Sequence, residues 1–364
     1  MFFKKQVLGL DISDYSIEVI SLGGSIQSPR LLAMGRKVLK PGIIEDGLIL
    51  NEEKLETALK ELIENPKFGK IKTNKIIFAL PESRSYIHIF KLPEKLIKKE
   101  IPELVKSQAS QTFPHPLEEL YLDYQEENNE VLLIGVPQKI VNDYLEVFRN
   151  CNLRPVVLEI ESLSLGRALI PDEEKLVLIA DIGARTTNLN VFDQKKLRLS
   201  LSNPIAGNRF TQALSKKLNI NSQNAEELKK KIGLDPKFQN GRIFLILQKE
   251  VQLIIEDINK IERYFKKKTG QNIEKIILAG GSAALPHLSE YLADNLQRPV
   301  AIGDPWGRIN IDILKRKEYF KKALEINPIL YSTAIGTALR GLDKKAETSG
   351  INFLSKGSRF TNYL

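Results

Sequence analysis

The sequence predicts an α/β fold of two duplicated lobes with a cleft between them, and three stretches carry that expectation. Residues 7–20 read as a buried strand, a polar turn and a second strand of alternating pattern, which makes a β-hairpin with Asp11 at the end of its first strand. Residues 180–188 repeat the arrangement around Asp181 halfway along the chain. Residues 276–283 run another apolar strand into the small-residue turn Gly280, Gly281, Ser282.

Each turn has the chemistry of a nucleotide-gripping loop. Asp181 can hold a metal-bound water, Gly183 lets backbone N–H groups approach phosphate oxygens, and Ala184, Arg185 and the hydroxyl of Thr186 complete the cradle. The Gly280–Gly281 pair suits a backbone lying flat against a base or ribose, with a helix starting near Ser282 aiming its N-terminal dipole there.

The remaining elements follow in order. Strands are expected near 6–12, 16–22, 31–38 and 75–80, with a helix over 52–64, as a first lobe. Residues 85–156 form a compact insertion: a strand, a helix over 94–112, strands near 120–124 and 131–136, and a helix over 138–151. The second lobe begins near Val177 and includes a long helix over 242–268. A last helix over 328–340 returns the chain to the first lobe.

Composition bounds the class of protein. At 364 residues, 42% hydrophobic and 27% charged, the chain can bury two substantial cores. No apolar run is long enough to span a bilayer, and the first five residues lead into a strand pattern, which predicts a cytoplasmic protein. The single cysteine, Cys151, excludes an internal disulfide, and His88, His115 and His287 lack metal-ligand spacing. The net charge of +9 is scattered over short runs such as Lys266, Lys267, Lys268 with no interleaved aromatics, so nucleic acid is not an expected partner.

Further segments carry a resemblance. The three loops, together with residues 40–47, 78–83, 113–124, 206–211, 225–229, 303–306 and 334–341, are similar in order and spacing to the PilM family of type IV pilus assembly proteins. That family lies within the actin-like ATPase superfamily and is related to FtsA. The resemblance implies an actin-like fold: duplicated ribonuclease H-like lobes around a nucleotide cleft, with an FtsA/PilM-type extra subdomain. The implied divisions are 1–84, with 157–176 and 328–343 as return segments, for the first lobe; 85–156 for the extra subdomain; 177–327 for the second lobe, its helical subdomain about 208–272; and 344–364 for a tail.

It also implies ATP or ADP with Mg2+. Asp11 and Asp181 would serve the metal. Asp11, Ser13, Asp14, Ser16, Gly183, Ala184, Arg185, Thr186, Gly207, Asn208, Glu226, Lys229, Gly280, Gly281 and Ser282 would contact the nucleotide. Glu161 reads either as a water-orienting residue beside Asp181 in catalysis or as a helix-start carboxylate. Glu226 and Lys229, three apart on one helix face, read either as ribose and base contacts or as a surface ion pair.

Two departures from the family pattern stand in the first loop, where Ser13 replaces the usual Gly and Glu18 the usual Lys. Ser13 is expected to make a left-handed backbone angle costly, and Asp14 and Glu18 to add negative charge near polyphosphate, impairing that loop. The implied partner is the N-terminal peptide of an inner-membrane PilN-like protein, lying against residues 85–93 and their neighbours, so that contact with the membrane is indirect and at its inner face. The tail carries its own candidate docking sequence, Ile351, Asn352, Phe353, Leu354, behind a polar linker expected to be flexible, which raises self-association or self-occupancy of the groove.

Overall fold

Two sheets of like topology organise the chain. The computed structural model describes residues 6–172 and 176–354, so the reading of the first five residues falls outside the described residues. By compactness the chain divides into two units, the described residues through Ala168 with those from Pro305 onward, and Leu169–Asp304.

In the first unit, β1 (Val7–Ile12), β2 (Ser16–Ser25) and β3 (Ser28–Val38) form an antiparallel meander. A short hairpin, β4 (Ile44–Glu45) and β5 (Leu48–Ile49), leads to α1 (Glu52–Glu64), whose first turn is capped by the Asn51 side chain accepting from Lys54 N. After β6 (Phe68–Gly69), β7 (Lys75–Leu80) pairs parallel to β1. The insertion follows as β8 (Tyr86–Lys91), α2 (Ile101–Thr112), β9 (Leu120–Glu127) and β10 (Glu130–Pro137). Then α3 (Gln138–Asn150), β11 (Arg154–Ile160) and α4 (Glu161–Leu169) return to the first sheet, whose order is β11-β7-β1-β2-β3-β6.

Alternation along β1 fixes the layers. Leu8, Leu10 and Ile12 join a core with α1 and α3, while Gly9 faces the other way. The insertion has its own sheet, β8-β10-β9, and its own core from α2 (Ile101, Val105, Ala109) and the two long strands.

Three expectations are corrected here. The helix expected from 94 begins at Ile101, behind a 3-10 turn at Lys98–Glu100, with Pro102 in its first turn. Helix α3 buries Ile140, Val141, Tyr144, Val147 and Phe148 in the first sheet's core, and β11 pairs with β7 from Arg154 on, so 138–156 belongs with the first sheet and the insertion ends with β10. Residues 305–327, expected in the second lobe, pack on the first unit: Asn310 exchanges backbone hydrogen bonds with Pro29 and Leu31, and Tyr319 meets the Phe68 ring edge-on.

The second unit repeats the plan. The strands β12 (Leu176–Ile182), β13 (Thr187–Asp193) and β14 (Lys196–Asn203) form an antiparallel meander. Helices α5 (Gly207–Leu218), α6 (Ser222–Ile232) and α7 (Arg242–Thr269) follow. After them come β15 (Lys275–Ala279), α8 (Leu288–Leu296) and β16 (Val300–Ile302), with β15 parallel to β12. Buried residues of α7, from Ile243 through Leu247, Val251, Ile254 and Ile258 to Phe265, recur at helical spacing, which is why so long a run stays helical. The chain returns to the first unit through α9 (Phe320–Ala323) and α10 (Ser332–Gly341), the latter packed on β1, β2 and β7.

Candidate functional site: phosphate-type loops and a peptide groove

The β1–β2 turn is self-contained. Ser13 N donates to Ser16 O at 2.9 Å, and the Ser13 hydroxyl oxygen accepts from the backbone N–H of Tyr15 and Ser16 at 3.3 and 3.2 Å. Ser13 is absent from the left-handed residues, so the expected backbone penalty does not arise; its hydroxyl fills the turn a glycine would leave open. Asp14 does not stand as a loose charge: its carboxylate accepts from Asp46 N at 2.8 Å and Gly47 N at 3.0 Å, tying the turn to the β4–β5 hairpin.

Glu18 is compensated as well. It lies buried with Arg36 Nε donating to it at 2.6 Å, and the same guanidinium donates to Ser16 Oγ at 3.1 Å. Burial pushes its carboxyl up to about 6, against the pull of Arg36. A carboxyl raised above its ordinary 4.5 stabilises fully below pH 4.5 and loses that contribution as pH rises through 6. We expect this group alone to cost about 2 kcal/mol between those limits. Urea unfolding at pH 4.5 and 7 in the native chain and in Glu18→Gln checks it, since the variant should flatten the difference; an equal slope in both would contradict the assignment.

Glu161 stands at a helix start. It sits in the first turn of α4, where its carboxylate accepts from Glu82 N at 3.1 Å while Glu82 accepts from Ser162 N at 2.9 Å. This exchange joins the end of β7 to the end of β11. Asp11, at the end of β1, stands across from Glu18 in the β1–β2 ladder.

In the second unit three loops converge. Gly183 N donates to Thr186 O, the Gly183 carbonyl accepts from Gly207 N at 3.1 Å and from Ser282 Oγ at 2.9 Å, and Asn208 N donates to Ala184 O at 2.7 Å. The first two N–H groups of α5 are thus held by the 183–184 turn. Arg185 lies in the same turn between β12 and β13. Two glycines bring the loops close: a Cβ on Gly207 would displace the Ser282 hydroxyl, 2.5 Å away. One on Gly280, whose φ is +79°, would lie 2.4 Å from Asp181 Oδ1. The helix expected near Ser282 is a 3-10 turn, Gly281–Ala284; α8 begins only at Leu288, so no helix dipole points from Ser282.

Lys229 and Glu226 are paired beneath this turn. Lys229 Nζ donates to Glu226 Oε2 at 2.6 Å, Gly207 O at 3.0 Å and Thr211 Oγ1 at 2.9 Å, and Lys229 is buried. This is a half-buried pair supporting the start of α5, with Glu226 also meeting the exposed Lys230, a geometry between the two readings the sequence left open. Burial lowers the pKa of Lys229.

The N–H groups of Gly183, Gly207 and Asn208, expected at phosphate oxygens, are taken by carbonyls of the chain, so a phosphorylated ligand with a cation would rest on Asp181 and Asn188. Asp181 pairs with Asn188 across the β12–β13 ladder, so the two side chains share a face, and the buried Asn188 Oδ1 has no hydrogen-bond partner. Among the described residues no cluster of three or more His, Cys, Asp or Glu side chains could hold a metal. Magnesium would therefore rely on one or two carboxylates and on the ligand's own phosphates, the coordination it favours.

The tail's place was only half legible. Ile351 and Phe353 are 1% exposed and join the first unit's core, and Asn352 is 2% exposed. The segment lies along β11, the edge strand of the first sheet. Phe353 N donates to Leu158 O at 3.1 Å. Asn352 Oδ1 accepts from Leu158 N and Leu354 N, both at 3.1 Å, and its Nδ2 donates to Val156 O and Glu347 O. Asn352 N donates to Asp123 Oδ2 at 2.7 Å. The tail's bonds thus go to β9, in the sheet that holds residues 86–91, and to β11. Nor is the linker loose, because the buried Arg340 guanidinium donates to the carbonyls of Ala346, Ser349 and Ile351 and to Glu159. Glu159 also receives both guanidinium nitrogens of Arg167 and the Ser164 hydroxyl. Arg36, Asp123, Glu159 and Arg340, which make these buried bonds, were not singled out from the sequence; their signal was a charge at a position where alternation or an apolar helix called for a hydrophobic residue.

The duplicated meander with parallel strands added at one edge is that of the actin-like ATPases, and solved structures agree. The chain superposes on MreB5 of Spiroplasma citri bound to ADP with a TM-score of 0.54 and 17% identity, over 92% of this chain and 95% of that one. Residues 9–342 match the type IV pilus assembly protein PilM family, and the chain belongs to it. A PilM-PilN type IV pilus biogenesis complex is similar at a TM-score of 0.77 and 25% identity, over 93% of this chain and 98% of that one. The cell division protein FtsA of Buchnera aphidicola subsp. Baizongia pistaciae is 23% identical over 300 residues, 74% of this chain and 69% of FtsA.

Proposed function

We propose that the chain is a docking scaffold of a type IV pilus assembly machine. It engages the cytoplasmic N-terminal peptide of a PilN-like inner-membrane protein and holds ATP or ADP with Mg2+ as a largely structural ligand. The observation that supports the docking role is the Ile351–Leu354 segment seated on the β11 edge, held there by backbone groups and one Asn side chain. The family supports the machine, and the PilM-PilN complex supports the partner. None of the helices among the described residues is long and apolar enough to cross a membrane, so the partner supplies the membrane contact at its inner face.

The nucleotide reading rests on the second-unit loops, with Asp181, Asn188, Gly207 and Gly280 around one turn. Asp181→Ala should weaken Mg2+-dependent ADP binding by about tenfold or more, the scale of one lost charged contact. Mass spectrometry of ligand released from the purified chain, with titration of ADP, checks this; no nucleotide and no binding would leave a scaffold without one. The relation to FtsA favours a second reading, a membrane-associated ATPase that polymerises or switches. Several turnovers per second, or filaments in the presence of ATP, would establish that reading instead. The docking role is tested by co-purification with the detergent-solubilised membrane protein. Deleting that protein's cytoplasmic N-terminus should abolish recovery of the chain, and undiminished recovery would overturn the role.

A further inference from the structure

We propose that residues 315–324 are a direct membrane contact of this chain: Phe320 and Leu324 enter the headgroup layer of an anionic bilayer while the cations around them meet the lipid phosphates. This contact adds to the one the membrane partner supplies. It stands without the scaffold reading, because it is read with no other protein present.

The sequence of this stretch sets five cations, Lys315, Arg316, Lys317, Lys321 and Lys322, against one acid, Glu318. All five cations are exposed. The nearest flanking acids are engaged in surface pairs, Asp312 with Lys315 at 2.9 Å and Glu325 with Lys67 at 3.2 Å. The segment is anchored on the first unit from within. Leu314 is buried, and Tyr319 sets its ring edge-on against Phe68 with centroids 5.2 Å apart. Backbone bonds then wind one helical turn: Tyr319 N donates to Arg316 O and Ala323 N to Tyr319 O, both at 2.9 Å, and Leu324 N to Phe320 O at 3.3 Å. Phe320 and Leu324, four apart on that turn, share a face, and it is not the face of Tyr319. The anchor that buries Tyr319 therefore holds them outward, 57% and 74% exposed. Among the described residues no large hydrophobic side chain is more exposed than Leu324.

Charge and shape together select the occupant. A stable protein interface covers about 800 Å² on each side and keeps charges away from its centre. Here Lys321 and Lys322 stand between the two apolar side chains in the chain, so the apolar face is small and a ring of cations runs through it. A bilayer surface accepts that mixture. Its headgroup layer takes Phe and Leu to a shallow depth, and its phosphates meet Lys and Arg in the same plane, with their aliphatic stems lying along the apolar layer. Two inserted side chains on a single turn give a weak, reversible contact, sensitive to salt through its charges. Weak is enough for a chain held at the membrane by a partner, because the second contact is then made at high effective concentration.

The test is co-sedimentation of the full chain with vesicles of equal parts phosphatidylcholine and phosphatidylglycerol, against vesicles of phosphatidylcholine alone. We expect a preference of about tenfold or more for the anionic vesicles at low salt, lost as salt is raised. Phe320→Ser with Leu324→Ser, and separately Lys321→Glu with Lys322→Glu, should each weaken the association by about fivefold or more. Lys266→Glu with Lys267→Glu, in the last turn of α7, changes net charge by the same amount and should retain it. Equal loss from that pair would mean attraction to the overall charge of +9 and would overturn the inference, as would no binding by the native chain at low salt. Phe320→Trp reports insertion: its added emission should shift to the blue on anionic vesicles, and binding without a shift would overturn the inference. Co-purification with the detergent-solubilised membrane protein, where no bilayer is present, should be unchanged in Phe320→Ser with Leu324→Ser. Its loss there would assign the patch to a protein and overturn the membrane contact. Vesicle binding by a chain that fails to co-purify would sink the scaffold reading and leave the membrane contact standing.

Discussion

Glu159→Gln should cost the first unit about 3 to 5 kcal/mol, the range seen when one partner of a buried ion network is removed. Glu159 is fully buried and receives Arg167 Nη1 and Nη2 at 2.7 and 2.8 Å, Arg340 Nη1 at 2.5 Å and Ser164 Oγ at 2.7 Å. Gln keeps the shape and drops the charge, leaving the buried Arg340 guanidinium without its counter-ion. Burial alone would raise the carboxyl's pKa, yet the two guanidinia hold it near 2. A carboxyl depressed from 4.5 to about 2 contributes its stability above pH 4.5 and loses it as pH falls from there through 2, about 3 kcal/mol in all. Urea unfolding of both chains at pH 7 measures the first effect, and a titration of stability from pH 5 downward measures the second. A variant within 1 kcal/mol of the native chain at pH 7, by the usual scale of surface changes, would show the network to be dispensable.

Gly9→Val should be as damaging by a different route. A Cβ on Gly9 would lie 2.2 Å from Ala334 O and 2.5 Å from Ala338 N, both backbone atoms of α10. Neither β1 nor α10 can give way, because β1 is paired on both sides and α10 is buried along its whole length. The expected loss is about 3 kcal/mol or more, at the upper end for overpacking. Gly23→Ala is the control, since its Cβ would meet only the side chain of Leu32, and it should cost about 1 kcal/mol or less. Thermal melts of the two variants decide; equal losses would mean that the α10–β1 approach is not what limits the position.

What could be read from the sequence was whatever rests on local pattern. The two hairpins with Asp11 and Asp181, the parallel strands that extend their sheets and the long helix α7 follow from period-two and helical spacing of apolar residues, and the structure has them. Side-chain pairing between distant residues was not legible. Glu18 looked like a charge spoiling the first loop, and only the structure brings Arg36 of the neighbouring strand against it. Ser13 looked strained because the family pattern has Gly there, whereas the turn closes through its hydroxyl. Residues 305–327 fell to the second lobe in the divisions that the resemblance implies, and two backbone bonds to β3 place them in the first unit. The tail sequence was visible, but its wall was not, since Asp123 and Leu158 lie 229 and 194 residues from Asn352.

The docking role is tested most directly by titrating the cytoplasmic N-terminal peptide of the inner-membrane pilus protein into isotopically labelled full chain carrying Asn352→Asp, which removes the tail's side-chain donor to Val156 O and Glu347 O. Saturable one-to-one binding should shift the amides of Asp123, Val156 and Leu158 together, with the Arg340 guanidinium responding. No shift at millimolar peptide, or shifts confined to the 86–91 strand and absent from β11, would contradict it.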